Sequence, residues 1–460
     1  MYKFFNPNNF TNPSEKEVDE LFKVLFPINR SLTGIGNKET LEILSKIVDL
    51  ETINTPSGKK IYDWIIPDEW IIRNAFIKNS EGKKVIDWQK NNLHVLNYSR
   101  PIHKKNVTKK ELLKNLFTLP DKKDWIPYRT SYYKPNWGFC LSENQLNSSE
   151  FSEPFEIFID SELDPKGSML LGESYHRGVS DKEIIISSYF CHPSLANDNL
   201  SGIITAVYLF NEIKKRDTYY SYRLILCPET IGALAFLNQH KSHNDIYCGF
   251  VVSTTAGPDL LGVKESFLGD HEIDQLSKMA VESIEPKWIH YGFRPDGSDE
   301  RQYSSPGFRI PTVTITKSKY YEYDEYHTSA DNLEFVSSKN LLKTLNAYLK
   351  TFELLEANRT IERLNNKGED QLGIKGLMPP IGGTINQSVE LENKKGSDLR
   401  KFELDFEFTG EHLNAYEWIM HMADSSNTIL DISNKSNIDF YTIYEAASMF
   451  HDKNLIKVIG

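Results

Sequence analysis

The sequence predicts an α/β fold, a β-sheet with helices on both faces, and three observations carry that expectation. After Pro165, apolar strands alternate with helices long enough to serve as crossovers: EIIISSYF, LSGIITAVYLFNEIKK, YRLILC, a helix opening near Ile231, GFVVST, IDQLSKMAVESI and PTVTIT. Residues 338–357 follow as one long amphipathic helix. The balance of 39% hydrophobic, 25% charged and 12% aromatic residues is that of a chain able to bury cores.

From the start of the chain, residues 13–50 read as helices. Ser14 and Glu17 have capping-box spacing, and VDELFKVLF and TLEILSKIVDL carry apolar residues at helical intervals. From Thr55 the texture changes to short runs such as KKIYDWIIP, WIIRNAFIKN, KKVIDW and LHVLNYS between Gly, Asn, Asp and Pro, the mark of several short strands. Five of the seven tryptophans (Trp64, Trp70, Trp88, Trp125 and Trp137) fall here, which sets residues 55–165 apart as a β-rich unit. Burial is the ordinary fate of such tryptophans; stacking faces for carbohydrate are their other use. Near the end, the connector LGIKGLMPPIGGTINQ leads to three short helical segments, WIMHMA, TILDISNKS and DFYTIYEAASMF, the arrangement of a small helix-turn-helix or winged-helix appendage.

Charge excludes some function classes. Lys plus Arg total 53 against 64 Asp plus Glu, a net charge of −11, which disfavours bulk binding to nucleic acid or anionic membrane. Residues 411–460 hold seven acids (Glu411, Glu417, Asp424, Asp431, Asp439, Glu445, Asp452) against three bases (Lys435, Lys453, Lys457), and DFYTIYEAASMF has neither Lys nor Arg. The appendage is therefore expected to pack or bind a partner, not to read DNA. MYKFFNPNNF lacks the basic flank and apolar core of a signal peptide, and no stretch approaches the roughly 18 apolar residues of a membrane helix. Cys140, Cys191, Cys227 and Cys248 show neither disulfide-framework density nor CxxC spacing. A soluble cytoplasmic protein with reduced thiols is the expectation.

In open α/β sheets ligands bind beyond the carboxyl ends of the strands. EIIISSYF runs into Cys191 and His192, with Asp198 in the same loop; YRLILC ends at Glu229 and Thr230; PTVTIT leads across a Tyr/Glu/Asp-rich loop to Tyr326, His327 and Asp331. Two His and an Asp with a Glu nearby are the inventory of a catalytic zinc site, which uses three protein ligands and leaves one position open. Glu229 is then the carboxylate that takes a proton from water and passes it to a leaving amine, and Asp331 could orient the His327 imidazole. Each residue also has a plainer use: a satisfied structural His, a helix-capping Asp198, a Glu229 favouring a helix N-terminus.

The loops Ala196–Gly202, Glu229-Thr230-Ile231-Gly232, Gly297-Ser298-Asp299 and Tyr326-His327-Thr328, in this order, resemble those of M28-type zinc aminopeptidases and their glutaminyl-cyclase-like relatives. TPSGKKIYDWIIPDEW, NNLHVLNYSRP, IPYRTSYYKPNWGFC, CHPSLANDNLSG, PETIGA and YHTSADNLEFV together are similar to a bacterial family of uncharacterised aminopeptidase-domain proteins. The resemblance spans nearly the whole chain. It implies a mixed sheet flanked by helices in an M28-like peptidase domain (residues 1–54 and 166–365), an inserted β-rich domain (55–165), and a connector with a winged-helix-like domain (366–460). It further implies that Asp198, His192 and His327 hold metal and that Glu229 is the general base. Two-zinc aminopeptidases have adjacent glutamates where this chain has Glu229-Thr230, and an aspartate where it reads Val251-Val252-Ser253-Thr254-Thr255. Each metal would lose a ligand, so one zinc ion is expected.

Asp299 is a candidate substitute ligand or contact for a substrate amine, or else a salt-bridge partner of Arg301. The acidic, aromatic loop Tyr320–Tyr326 could hold a substrate ammonium or simply be solvated. Thr230 and Tyr326 complete the residues expected near the substrate. The expected activity is zinc-dependent hydrolysis of an amide near a free amine, on a small peptide or aminoacyl substrate. Two alternatives are an amidohydrolase acting on an amino-sugar or cell-envelope precursor, and a non-catalytic sensor or interaction protein keeping the fold. The oligomeric state is left open.

Overall fold

The structure, a computed structural model, describes residues 10–240, 242–377 and 410–459; positions 378–387 of the expected connector and most of MYKFFNPNNF lie outside them. Residues 9–351 form one compact unit, and 352–460 belong to a second.

An eight-stranded mixed sheet organises the first unit. From edge to edge it runs Glu51–Pro56, Ser168–His176, Ser221–Cys227, Glu183–Tyr189, Ile246–Val251, Thr312–Lys317, Leu261–Lys264 and Ile289–Tyr291. Its four central strands, Ser221–Cys227 to Thr312–Lys317, are mutually parallel. Glu183–Tyr189 is buried at every position, as a strand covered on both faces must be, which explains its unbroken apolar run. The chain crosses from this strand to Ser221–Cys227 on one side and then returns to Ile246–Val251 on the other. That reversal opens a crevice beyond the carboxyl ends of the strands. Helices Gly202–Ile213, Ile231–Gln239, Glu272–Ile284 and Ser338–Ala357 fall where the periodicity places them. The expected capping box at Ser14 and Glu17 starts the helix Glu15–Leu25.

The segment 55–165 builds its own antiparallel sheet, ordered Lys84–Asp87, Glu69–Lys78, Phe155–Asp164 and Ile102–Val107. It is not walled off. One hydrophobic cluster joins Trp70, Ile77 and Ile157 of this sheet to Ile185, Tyr189 and Ile225 of the central one. The strand Glu51–Pro56, which crosses the expected boundary at 54/55, pairs with Ser168–His176 at the edge of the central sheet.

In the second unit the helices Gly410–Met422, Ile429–Ser436 and Phe440–Asp452 accompany a three-stranded sheet whose middle strand is Thr360–Arg363. The expected boundary at 365/366 thus falls inside this unit. Tyr416 and Phe450 pack at 5.0 Å in its core, and Thr428 and Asp439 cap helix N-termini as short polar residues do. Among the described residues no helix is long and apolar enough to cross a membrane.

Candidate metal centre

The loops beyond the four parallel strands converge on one buried point. His192 follows the strand Glu183–Tyr189, and Arg30 fixes its backbone by donating from Nε to the His192 carbonyl at 3.2 Å. Asp198 sits in the irregular turn Ala196–Ser201 that precedes the helix Gly202–Ile213. Asp331 pins that turn, its two carboxylate oxygens accepting from the Asn197 and Asp198 amides at 2.6 and 3.0 Å. Sequence reasoning assigned Asp331 to the His327 imidazole; the structure gives it the backbone of the Asp198 turn and the Tyr323 hydroxyl instead.

One ligand atom each from His192, Asp198 and His327 lies within 4.8 Å of the other two. His327 Nε2 stands 3.0 Å from Asp198 Oδ2, and His192 Nε2 stands 3.9 Å from it. Asp198 Oδ2 and His327 Nε2 are buried and neither makes a hydrogen bond. A divalent cation between them would accept electron pairs from both when the His327 imidazole is neutral. Two imidazoles and a carboxylate fit zinc.

Electrostatics prepares these ligands. Burial lowers the His192 pKa to about 4 against the opposing pull of Asp198, so the imidazole is neutral at neutral pH and free to coordinate. Burial works against the Asp198 charge, but His192, His327 and the Tyr189 hydroxyl, which donates to Oδ1 at 2.6 Å, outweigh it and hold the carboxyl at about 2. Aromatic rings fix the imidazole planes. Tyr326 stacks on His327 at 3.9 Å, and Tyr128 packs against both His327 (5.1 Å) and His192 (5.2 Å).

Glu229 Oε2 lies 3.9 Å from His192 Nε2. It is aimed by a γ-turn: Thr230 sits at φ 67°, ψ −73°, with the Ile231 amide donating to the Glu229 carbonyl at 2.8 Å. This conformation is sparsely populated for a β-branched residue and persists only when held. Asp299 holds it by accepting from the Thr230 amide at 2.6 Å. Asp299 is fully buried and supports the turn through this bond. Arg301 donates to the Thr230 hydroxyl at 3.0 Å and makes no ion pair with Asp299. Desolvation, with the Asp299 and Asp198 charges adding to it, pushes the Glu229 carboxyl well above the usual range.

The hydroxyls of Thr230 and Thr254 are both engaged within the protein. Thr230 takes the Arg301 bond, and Thr254 pairs with Thr316 at 2.6 Å. His192, Asp198 and His327 are the single three-ligand cluster among the described residues. In the acidic loop Glu322 pairs with Lys319 at 3.1 Å and Asp324 with Lys122 at 3.4 Å, while Tyr323 and Tyr326 reach Asp331 and His327.

A cavity of about 470 Å³ opens over the centre, its wall including Tyr128, His192, Glu229, Thr230, Arg301 and His327. Sequence reasoning missed Tyr128 and Tyr189. Tyr189 ends the strand that leads to His192, a position that could have signalled it. Tyr128 lies in the β-rich segment and carried no comparable signal beyond its aromatic surroundings.

Comparison with known proteins agrees with this architecture. A Clostridium acetobutylicum protein, named for polysaccharide biosynthesis and an aminopeptidase-like domain, is 39% identical over 444 residues, 96% of each chain. A crystal structure of a peptidase from the same organism matches with TM-score 0.84 and 37% identity over 97% of this chain and 96% of that one. Two distant structures share the fold. The zinc aminopeptidase of Bacillus subtilis has TM-score 0.53 and 11% identity, covering 73% of this chain and 93% of that one. A peptidase M28 precursor from Shewanella amazonensis has TM-score 0.52 and 12% identity, covering 80% and 95%. Residues 19–358 match the family described as a domain of unknown function, DUF4910, and the chain belongs to that family.

Proposed function

We propose that this protein is a metal-dependent hydrolase of aminopeptidase type, working in the cytoplasm, with one zinc ion held by His192, Asp198 and His327. The observation that carries the reading is the pair of buried, unpartnered ligand atoms, Asp198 Oδ2 and His327 Nε2, beside His192 and Glu229. The fold shared with zinc aminopeptidases supports it. A zinc ion there supplies Lewis acidity, which lowers the pKa of water to about 7. Glu229 takes the proton of the attacking water on its carboxylate and returns it to the leaving nitrogen, and its raised pKa suits the return. Asp299 keeps the Thr230 turn closed so that the Glu229 carboxylate stays beside His192. Tyr189 and Tyr128 hold Asp198 and the imidazoles in place.

The test is metal content by mass spectrometry of the purified protein at neutral pH beside His192→Ala and His327→Ala, with hydrolysis of aminoacyl and acylamino-sugar substrates before and after chelation. Stoichiometric zinc in the wild type, lost in both variants together with activity, is expected. Wild-type protein that takes up no divalent ion would leave a sensor on a peptidase fold. A second reading, an amidohydrolase on an amino-sugar precursor, is favoured by the polysaccharide-biosynthesis name of the 39% identical relative and by Trp64 in the cavity wall; preference for acylamino-sugars over aminoacyl substrates would establish it.

A further inference from the structure

The cavity over the metal ligands is not the end of the cleft. Tyr132 and Tyr133 form part of its wall and are shared with a second cavity of about 310 Å³. At the junction, the hairpin of Lys60–Ile61 and Trp64–Ile65 presents Trp64, 39% exposed, with its ring centroid 5.7 Å from that of Tyr133, 51% exposed. Tyr62, on the turn of the same hairpin, is 47% exposed. Trp64 and Tyr133, both in the wall of the first cavity, mark a binding surface, since each leaves apolar area in water that a ligand would cover, while Tyr62 packs edge-on against Phe308. The far cavity has a mixed lining, with Ile65, Pro67 and Pro135 beside Asp68, Arg100, Ser131 and Lys134. Arg100 and Lys134 are solvent-exposed, and neither has an ion-pair partner among the described residues.

We infer that the second cavity is a subsite for a saccharide unit bearing a carboxylate, joined to the group that occupies the first cavity. A pyranose has an apolar face of C–H bonds that lies on an aromatic ring, and a rim of hydroxyls that needs short polar groups such as Asp68 and Ser131. A sugar carboxylate suits the fork of Arg100, with Lys134 beside it. An amphipathic sugar matches both parts of this lining, its apolar face toward residues such as Ile65 and Pro135 and its hydroxyls and carboxylate toward the charged and hydroxyl groups. The assignment of the first cavity to the scissile amide rests on the hydrolase reading; the saccharide subsite is tested apart from it.

The experiment is titration of the full-length protein with a hyaluronan tetrasaccharide, which alternates glucuronate and N-acetylglucosamine, followed by calorimetry and by tryptophan fluorescence. Binding is expected, weakened about tenfold or more by Trp64→Ala, restored in Trp64→Tyr, and weakened likewise by Arg100→Ala. Chitotetraose, which is neutral, should bind more weakly than the acidic sugar and be indifferent to Arg100→Ala. Removing metal with chelator should leave the tetrasaccharide affinity in place, so an absent metal would end the hydrolase reading and spare this one. Absence of binding, or equal binding by wild type and a folded Trp64→Ala, overturns the proposal. So does Trp64-dependent binding of an acidic pentapeptide in place of the sugar, which would assign the cleft to peptide.

Discussion

The loops above the central sheet and the helical unit of residues 352–460 both have to reverse the chain, and they do it with different residues. In the helical unit, left-handed positions fall at Asn437 and Asn454, at φ 57° and 55°, where the short polar side chain tolerates that region, and at the exposed Ser425, at 74°. Above the sheet they go to Thr230 and His327, at 67° and 55°, with Ser194, Thr254, Ser318 and Tyr321 also at positive φ. Such conformations cost on the order of 1–3 kcal/mol each for residues of this kind. Both regions bury polar groups. In the second unit they include Glu356 and Arg359, which pair with each other at 3.3 Å, whereas Asp198, Asn199, Asp299 and Asp331 lie buried in the loops. The departures above the sheet gather around one point, which is where strain is expected to serve a site.

The largest expected effect falls on the loop side. Glu229→Gln should lower kcat by about 10²–10⁴-fold with metal content and melting temperature unchanged; retained activity would remove Glu229 from the chemistry. On the helical side, Phe450→Ala should cost about 3–5 kcal/mol in chemical denaturation and leave zinc content at neutral pH as it was. A loss of metal there would erase the contrast between the regions.

Acidity sharpens the comparison. Burial, with help from the Asp198 charge, pushes the Asp331 carboxyl up from 3.8 to about 7. The folded protein therefore holds a proton that the unfolded chain releases, and that contribution is complete below about 3.8 and lost as pH rises through about 7. His192 has the opposite sign. Its pKa falls from 6.5 to about 4, so its contribution is intact above 6.5 and lost as pH falls through about 4. Between about pH 4 and 6.5 the two contributions run in opposite directions and largely offset, so thermal melts of the metal-free protein should show a stronger loss of stability with acid in Asp331→Asn than in the wild type; identical profiles would contradict the Asp331 assignment. Acid should displace metal from His192 only as pH nears 4.

The smallest effect contrasts two turns. Thr230→Gly removes a side chain from a strained position and should raise stability by up to about 1 kcal/mol while hydrolysis falls. Asn437→Gly should stay within about 0.5 kcal/mol. A destabilised Thr230→Gly protein would mean that the Arg301 bond to the Thr230 hydroxyl outweighs the strain.

The central sheet was readable in the sequence because each of its elements carries its own period: Glu183–Tyr189 is an unbroken apolar run and Ser338–Ala357 a helical one. His192, Asp198 and Glu229 were readable because each directly follows a strand, where topology puts ligands. The support around them was not. Asp331 is close to His327 in sequence, and proximity suggested the wrong partner; its role depends on a turn contributed by another strand. The edge strand Glu51–Pro56 straddles a change in composition at Thr55, and composition cannot tell which sheet an edge will join. Tyr128 reaches the imidazoles only through tertiary pairing.

That pairing has a consequence for how the gene product could be cut. The Tyr128 amide donates to the His327 carbonyl at 2.8 Å, the Ser329 amide donates to the Ile126 carbonyl at 2.8 Å, and the Ser329 hydroxyl accepts from the Ile126 amide at 2.9 Å. Excising residues 55–165 would remove these three bonds together with the Tyr128 ring that packs on His327, so this segment and the geometry at His327 stand or fall together.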